Sequence, residues 1–422
     1  MEIFLFIVYL ILFSWCITQT RFFKNSGLTR LQLVLLFILK VGAGLVYGWI
    51  NWYSGPGPGQ TDTWALHAES LKETQILLTS PVRYITSFFY NPYTSSFGSL
   101  FASDASYWNN LKDNSFIRLE SIFNCFSFGS YFINIIFYNF LVYFGAVALY
   151  RTMRRHLGEG GLLLIAGCLM VPSFLYWSSG LHKDGLTFLA LSTVIYITYF
   201  RTTLRSPVKS YLLLLVALLL LFVLRNHVLL VFLPALAAWM LARRFPAHQA
   251  GLFAGLYCLA ILFFFTAKYL HPALDFPAIV VSKQNAFLHL TGGSTSIPVR
   301  PLRPDIGGFA RQLPQAAGIV LFRPFLSDVK KIILLPAFLE VALTWICVLL
   351  LLIFPKQKTV RCPFSLFLAA FIISMVLMIG FSVNNLGAIV RYRSILFPLF
   401  IPPLIMNIHW ERIFEKMNIK IK

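Results

Sequence analysis

The feature that most constrains this chain is a succession of apolar runs, each roughly 15 to 22 residues long, broken by short basic clusters. A helix of about 20 apolar residues crosses a bilayer core of roughly 30 Å. In lipid, only helices and closed barrels satisfy their own backbone hydrogen bonds. The runs have no period-2 alternation, so the reading is an all-α polytopic membrane protein forming one transmembrane domain over 1–422. Composition agrees: of 422 residues 58% are hydrophobic and 12% charged, about half the charge of a soluble domain, and the mean hydropathy is +0.75. The expected spans are 2–20, 31–50, 124–150, 160–177, 185–200, 210–224, 228–242, 250–268, 333–354, 363–381 and 394–409, about 11 helices in all. The first run lacks a basic leading region and ends at Gln19-Thr20-Arg21, with no small-residue cleavage site, so it reads as a retained span.

A formal charge of +20 invites a nucleic-acid partner, but the distribution of charge excludes that class. The Lys and Arg residues gather in loops that alternate along the chain, as the positive-inside rule requires. The groups are Arg21, Lys24 and Arg30; Arg151, Arg154 and Arg155; Arg201, Arg205 and Lys209; Arg243 and Arg244; Lys356, Lys358 and Arg361; and Arg412, Lys416, Lys420 and Lys422. All fall on the cytoplasmic side with the N-terminus outside and the C-terminus cytoplasmic. The weak point is 210–242, interrupted by Arg225-Asn226-His227. One helix there would be about 50 Å long at about 1.5 Å per residue, so a tight hairpin of two short helices is preferred. The six cysteines are scattered with no CxxC and no Cys/His ligand spacing, and read as packing residues.

Two outer loops are long. The first, about 51–123, opens with Ser54-Gly55-Pro56-Gly57-Pro58-Gly59. Trp64, Leu66, Leu71, Ile76 and Leu77 then suit an interfacial helix lying on the membrane. The second, about 269–331, carries Lys283, Arg300, Arg303, Arg311, Arg323, Lys330 and Lys331 against Asp275, Asp305 and Asp328. Its net positive charge suits an anionic ligand or lipid headgroup.

Three polar stretches fall on the outer side. Gln60 to Glu69 brings Asp62, His67 and Glu69 to a helix start; Asp62 there is either a helix cap or a general base or metal ligand. Ser178 to Gly185 packs His182, Lys183 and Asp184 into one short turn, either a solvated loop or a site orienting a sugar hydroxyl or phosphate. Asn384 to Arg393 brings Asn384, Asn385, Arg391, Tyr392 and Arg393 before the last span; the arginines either snorkel or bind phosphate. Within the apolar runs lie Lys40, Arg225 and Glu340, with His227 beside the expected hairpin apex. Intramembrane charges face polar cavities or partners, and Lys40 with Glu340 is a conceivable structural pair. The outer histidines His67, His182, His227, His271 and His289 show no ligand-like spacing.

The order of these features resembles the GT-C superfamily of membrane glycosyltransferases, which take sugars from polyprenyl-phosphate donors. The resemblance rests on Asp62 after an early span, Arg151-Thr152-Met153-Arg154-Arg155, Pro172-Ser173, Asp184, and Arg391-Tyr392 followed by Pro398. It covers much of the chain as architecture, and as residue identity only those stretches. It implies catalytic roles for Asp62 and Asp184, and places Arg391 and Tyr392 near a donor phosphate. It also implies a polyprenyl-phosphate-linked sugar, a glycan or lipid acceptor, and membrane lipid as partners. A divalent cation (magnesium or manganese) fits the resemblance, with Asp62 as its ligand. Two departures stand out: Thr63 and Trp64 follow Asp62 where a second acid is usual, and an extra span precedes the acidic loop. The localisation implied is the bacterial inner membrane, with the active face outside the cytoplasm. A polysaccharide polymerase of the O-antigen or exopolysaccharide type, and a transporter of lipid-linked glycans, remain alternatives. No nucleotide-binding G-x-x-x-x-G-K-[ST] or G-x-G-x-x-G motif is present.

Overall fold

The computed structural model describes residues 1–55, 57–90, 106–201, 206–289, 295–356 and 362–416. The basic residues Arg205, Lys358, Arg361, Lys420 and Lys422, used above for orientation, lie outside the described residues. Among the described residues the fold is helical, with two isolated β-bridges and no strand.

In chain order the helices are α1 (Glu2–Gln19), α2 (Arg21–Lys24), α3 (Arg30–Tyr53), α4 (Asp62–Thr79), α5 (Pro81–Thr86), α6 (Tyr107–Ser127) and α7 (Tyr131–Leu157). Next come α8 (Gly161–Leu169), α9 (Pro172–Ser179), α10 (Lys183–Phe200), α11 (Pro207–Arg244), α12 (Gln249–Thr266) and α13 (Phe276–Leu288). The chain ends with α14 (Ile306–Phe322), α15 (Leu335–Ile353), α16 (Pro363–Ser382), α17 (Leu386–Ser394), α18 (Phe397–Met406) and α19 (Trp410–Lys416). Among the described residues, 7 helices are long and apolar enough to cross a membrane, or up to 9 if each of two bent pairs is one span. The difference from eleven has local causes. The expected span 185–200 lies in α10, whose 18 residues begin with Lys183 and Asp184, so the helix taken whole does not reach that apolarity. The expected pair 210–224 and 228–242 falls within α11, where two helices meet across a kink at Arg225 (φ −150°, ψ 68°) and count as one candidate span.

Helix boundaries follow capping chemistry. Thr29 and Gln32 form a reciprocal capping box at the start of α3, which meets two otherwise orphaned amide groups. Ser106, Asp275, Asp305 and Asn385 cap α6, α13, α14 and α17 through side-chain oxygens. α6 stops at Phe128 (φ 54°) and Gly129 (φ 77°), two consecutive left-handed residues that reverse the chain.

The chain folds as two compact units. The first comprises Met1–Thr152 with Phe174–Asn226, the second Met153–Ser173 with His227–Lys422. In the first unit, Phe23 and Tyr143 stack at 5.3 Å with Phe22 and Phe144 around them, and α7 is buried along most of its inner face. Gly44 lets α3 come close to α7 and to the end of α9: a Cβ there would lie 2.6 Å from the Ser179 carbonyl and 2.7 Å from Ile135 Cγ2. By contrast α1 buries only Ile17, as befits a helix whose surroundings are lipid.

Within the segment expected as the first outer loop, the described residues are largely helical, and the helix expected around Trp64 to Leu77 is α4. α4 lies along α6, but the face it buries is Thr63, His67, Ser70 and Thr74, while Leu71 and Leu78 are exposed. α6 answers with Glu120, Ser121, Asn124 and Ser127. Asn124 Nδ2 donates to Ser70 Oγ (2.9 Å) and Thr74 Oγ1 (3.1 Å). The pair therefore associates through a hydrogen-bonded polar seam, with much of its apolar surface turned outward.

In the second unit, Trp239 stacks on Phe367 at 4.7 Å, and Phe232 meets Phe371 at 5.1 Å. The expected second outer loop supplies α13 and α14. α14 packs on α16, and Phe309 meets Phe381 at 5.0 Å in a core with Leu302 and Ala316. α17 and α18 bend by 65° at Ile395-Leu396, a break reinforced by Pro398 at the start of α18 and followed by Pro402 and Pro403 inside it.

Candidate functional site

The turn joining α9 to α10, in the first unit, is not a solvated loop. Every residue from Ser178 to Phe188 is buried, although the stretch contains a histidine, a lysine and an aspartate. The backbone of the turn is held from several sides. Asn139 Nδ2 donates to the Ser179 carbonyl (2.8 Å), Thr63 Oγ1 to the Leu181 carbonyl (2.8 Å), and the Tyr138 hydroxyl to the His182 carbonyl. Gly180 is required because Tyr47 occupies the place of a Cβ.

Its charged groups are matched one by one. Asp184, 1% exposed, receives Arg225 Nη2 at 2.7 Å, and His182 Nδ1 lies 3.5 Å from its other oxygen. Lys183 pairs with Asp113 of α6. Lys40 of α3 donates to Ser178 Oγ (2.8 Å) and Ser179 Oγ (3.0 Å), with its ammonium 5.6 Å from the Phe174 ring centre. Arg225 reaches Asp184 from the break in α11, so the non-helical residue is the one that delivers the cation. Asp184 also sits in the first turn of α10, where the helix dipole favours a negative charge. The cap residue of that helix is His182, and its side chain makes no cap hydrogen bond.

Asp62, Glu69 and His67 occupy three different settings on α4. Asp62 is exposed in the first turn. The capping position belongs to Thr61, whose hydroxyl donates to the Asn51 carbonyl at 3.0 Å. Glu69 forms a solvent-exposed pair with Lys72 at 2.7 Å, an arrangement worth well under about 1 kcal/mol. His67 is buried, and its Nδ1 meets Glu120 Oε1 at 2.7 Å. Asn134 Nδ2 also donates to that oxygen, at 3.3 Å.

In the second unit, Arg393 is 4% exposed and its Nη1 donates to the Val320 (2.6 Å) and Arg323 (2.7 Å) carbonyls. It thereby closes the C-terminus of α14, where orphaned carbonyls favour a cation. Arg323 is bound to Asp328 at 3.0 Å. Glu340 Oε2 accepts from the Ser173 amide (2.9 Å) and Oε1 from its hydroxyl (2.6 Å). Asn385 Oδ1 accepts from the Ala388 amide at 3.2 Å, and the Asn384 carbonyl accepts from the Ile297 amide at 2.7 Å. Arg391, Tyr392 and His227 are half-buried.

Of the residues singled out in the sequence, Lys40, His182, Lys183, Asp184 and Arg225 thus surround one turn, while Asp62, His67 and Glu69 share α4 but face different ways. Missed were Glu120, Asp113, Asn134, Asn124 and Ser127. The polar spacing Glu120, Asn124, Ser127 in an otherwise aromatic stretch was the available signal. The residues around Asp62 do not fit the divalent ion implied above: among the described residues there is no group of three or more His, Cys, Asp or Glu side chains placed to hold a metal.

Comparison with protein-family models, with curated proteins and with solved structures finds no significant match for this chain. The class rests on the fold itself: an all-helical protein with several helices long and apolar enough for a membrane.

Proposed function

We propose that the protein is an integral membrane glycosyltransferase that moves a sugar from a polyprenyl-phosphate donor to a glycan or lipid acceptor at the outer membrane face, in cell-envelope glycan synthesis. In this reading the chain crosses the bacterial inner membrane about eleven times, with the N-terminus outside. The observation that carries it is the buried, fully ion-paired turn at Ser178 to Asp184. Buried charges are costly, and a chain that only had to span the membrane would gain nothing from placing two of them and a histidine in one turn.

The chemistry assigned to the first unit uses Asp62 as general base. Its carboxylate is exposed and has no ion-pair or hydrogen-bond partner among the described residues, whereas Asp184 is committed to Arg225. Asp62 accepts the proton of the acceptor hydroxyl; the oxygen bonds to the anomeric carbon; the bond from that carbon to the phosphate oxygen breaks, and the lipid phosphate leaves with the electron pair. Asp184, Lys183 and Arg225 act as positioning residues that fix the turn. The exposed cations Arg300, Arg303, Arg311, Lys330 and Lys331 of the second unit suit anionic headgroups.

The test is transfer of radiolabelled sugar from polyprenyl-phosphate donors by the purified chain in nanodiscs. Asp62→Asn should abolish transfer while the protein stays monodisperse. An undiminished rate removes Asp62 from the role of base.

A further inference from the structure

A second feature of the first unit lies apart from the buried turn. A cleft of about 420 Å³ opens beside the polar seam, lined among others by Glu2, Trp64, His67, Ser127, Ser130 and Tyr131. Its volume falls within the roughly 300–1,000 Å³ of small-molecule sites. One wall is aromatic and rigid: Trp64 stacks on Tyr131 at 3.9 Å, and its indole N–H donates to the Gly48 carbonyl at 3.1 Å.

The polar groups of the cleft point to a particular chemistry. His67 donates through Nδ1–H to Glu120, a buried carboxylate that is not part of the lining. With Nδ1 held by Glu120, Nε2 on the other edge is the ring atom left for a further hydrogen bond. Ser127 is 1% exposed and its Oγ has no hydrogen-bond partner among the described residues. A buried hydroxyl in that state is destabilising, and a ligand hydroxyl would relieve it. Glu2 adds a carboxylate, already accepting from Ser130. No lysine or arginine lines the cleft, and its one formal cation, the Met1 α-amino group, is offset by the Glu2 carboxylate, so the lining offers an anion no net positive charge. Hydrogen-bonding groups beside an aromatic wall, with no net charge, match a neutral polyol ring.

We propose that this cleft is a sugar-ring site, the place where a neutral sugar of the acceptor or donor packs against Trp64 and hydrogen-bonds through its hydroxyls with His67 Nε2 and Ser127 Oγ. The proposal rests on the glycosyltransferase reading but is tested without transfer chemistry. Glu120 is a positioning residue that holds the imidazole.

The experiment is saturation-transfer NMR on the full chain in phosphatidylcholine nanodiscs. The probes are methyl β-glucopyranoside, methyl α-mannopyranoside and methyl N-acetyl-β-glucosaminide, with glycerol 3-phosphate as the anionic control. At least one glycoside should show ring-proton saturation, reduced fivefold or more by Ser127→Val and by His67→Gln. Ser127→Ala, the milder change, should reduce it in the same direction in protein that remains monodisperse. Glu69→Gln, an exposed change outside the cleft lining, should leave the signal intact, and because binding is read without transfer, failure of the transfer reading and failure of this one give different results. Adding glucosyl-diacylglycerol to the disc distinguishes the two forms in which the ring arrives: loss of the soluble signal supports a lipid-borne sugar, and persistence supports a soluble one. No saturation by any glycoside, saturation by glycerol 3-phosphate alone, or equal signals in wild type and Ser127→Val would overturn the assignment.

Discussion

Replacing Asp184 by asparagine tests whether the buried turn is held by charge. Arg225 Nη2 lies 2.7 Å from Asp184 Oδ1, and the two side chains are 11% and 1% exposed. At an effective dielectric of about 20, unit charges at that separation attract by about 6 kcal/mol, which is largely offset by several kcal/mol of desolvation per ion. The intact pair therefore contributes little net stability. Removing one member is different, because the other charge stays buried; Asp184→Asn should cost about 3–4 kcal/mol, and Arg225→Met a similar amount. The sum of the singles is then about 7 kcal/mol, whereas the double variant, which strands neither charge, should cost less than either single, so the coupling is about 3 kcal/mol or more. His182, 3.5 Å from Asp184, softens the Arg225 variant more than the Asp184 one. The assay is reversible SDS-titration unfolding of the purified protein in micelles, followed by far-UV circular dichroism. An Asp184→Asn variant within about 1 kcal/mol of wild type, or strictly additive singles, would refute the argument that the ion pair fixes the turn.

Lys40→Met should cost less than Asp184→Asn, within about 1–2 kcal/mol in the same titration, since it strands two serine hydroxyls rather than an opposite charge. Gly44→Ala should destabilise by about 1–3 kcal/mol through overpacking, because its Cβ would meet the Ser179 carbonyl at 2.6 Å; an unchanged midpoint would show that α3 has room to shift. Cys362, at the N-cap of α16, gives a pH test. Burial alone would raise its thiol, but hydrogen bonds from His156 and from the Ser365 hydroxyl and amide, together with the charge of His156, bring it down to about 6. Thiolate is then present at neutral pH and is lost as pH falls through about 6, so iodoacetamide alkylation should inflect there, and His156→Ala should move the inflection towards the ordinary thiol value of about 8.5.

How much of this was legible beforehand depended on whether a residue's partner was near it in sequence. The apolar runs announced the helices, and Arg225-Asn226-His227 announced a break that the structure places at Arg225. The turn at Asp184 stood out because three ionisable residues interrupt two apolar stretches. Its burial did not, since burial comes from Lys40, Asp113, Asn139 and Arg225, which converge from four separate helices. α4 was legible only in part for a related reason: Trp64, Leu71 and Ile76 marked a helix with an apolar face, and Leu71 is exposed, but nothing near them in sequence marked its inner face. Only Glu120, Ser121 and Asn124 on α6, some fifty residues away, turn Thr63, His67, Ser70 and Thr74 into the inner face. Helical periodicity finds stripes; it cannot say which one has the better partner.

The bonds made by Lys40 also bear on how the protein is made. Its nearer serine partner lies 138 residues further along the chain. At about 5–20 residues per second of synthesis, Ser178 emerges roughly 7–28 s after Lys40. For that interval α3 enters the membrane with an ammonium group and no serine to receive it, at a cost of about 2.5–3.5 kcal/mol on insertion scales. The apolar residues of α3 on both sides of it, Leu31 to Leu39 and Val41 to Ile50, must carry that load. α3 is thus inserted on its own hydrophobicity and docked by its lysine only once α9 is made, so a variant that weakens the Leu31–Leu39 stretch would fail during synthesis rather than after folding.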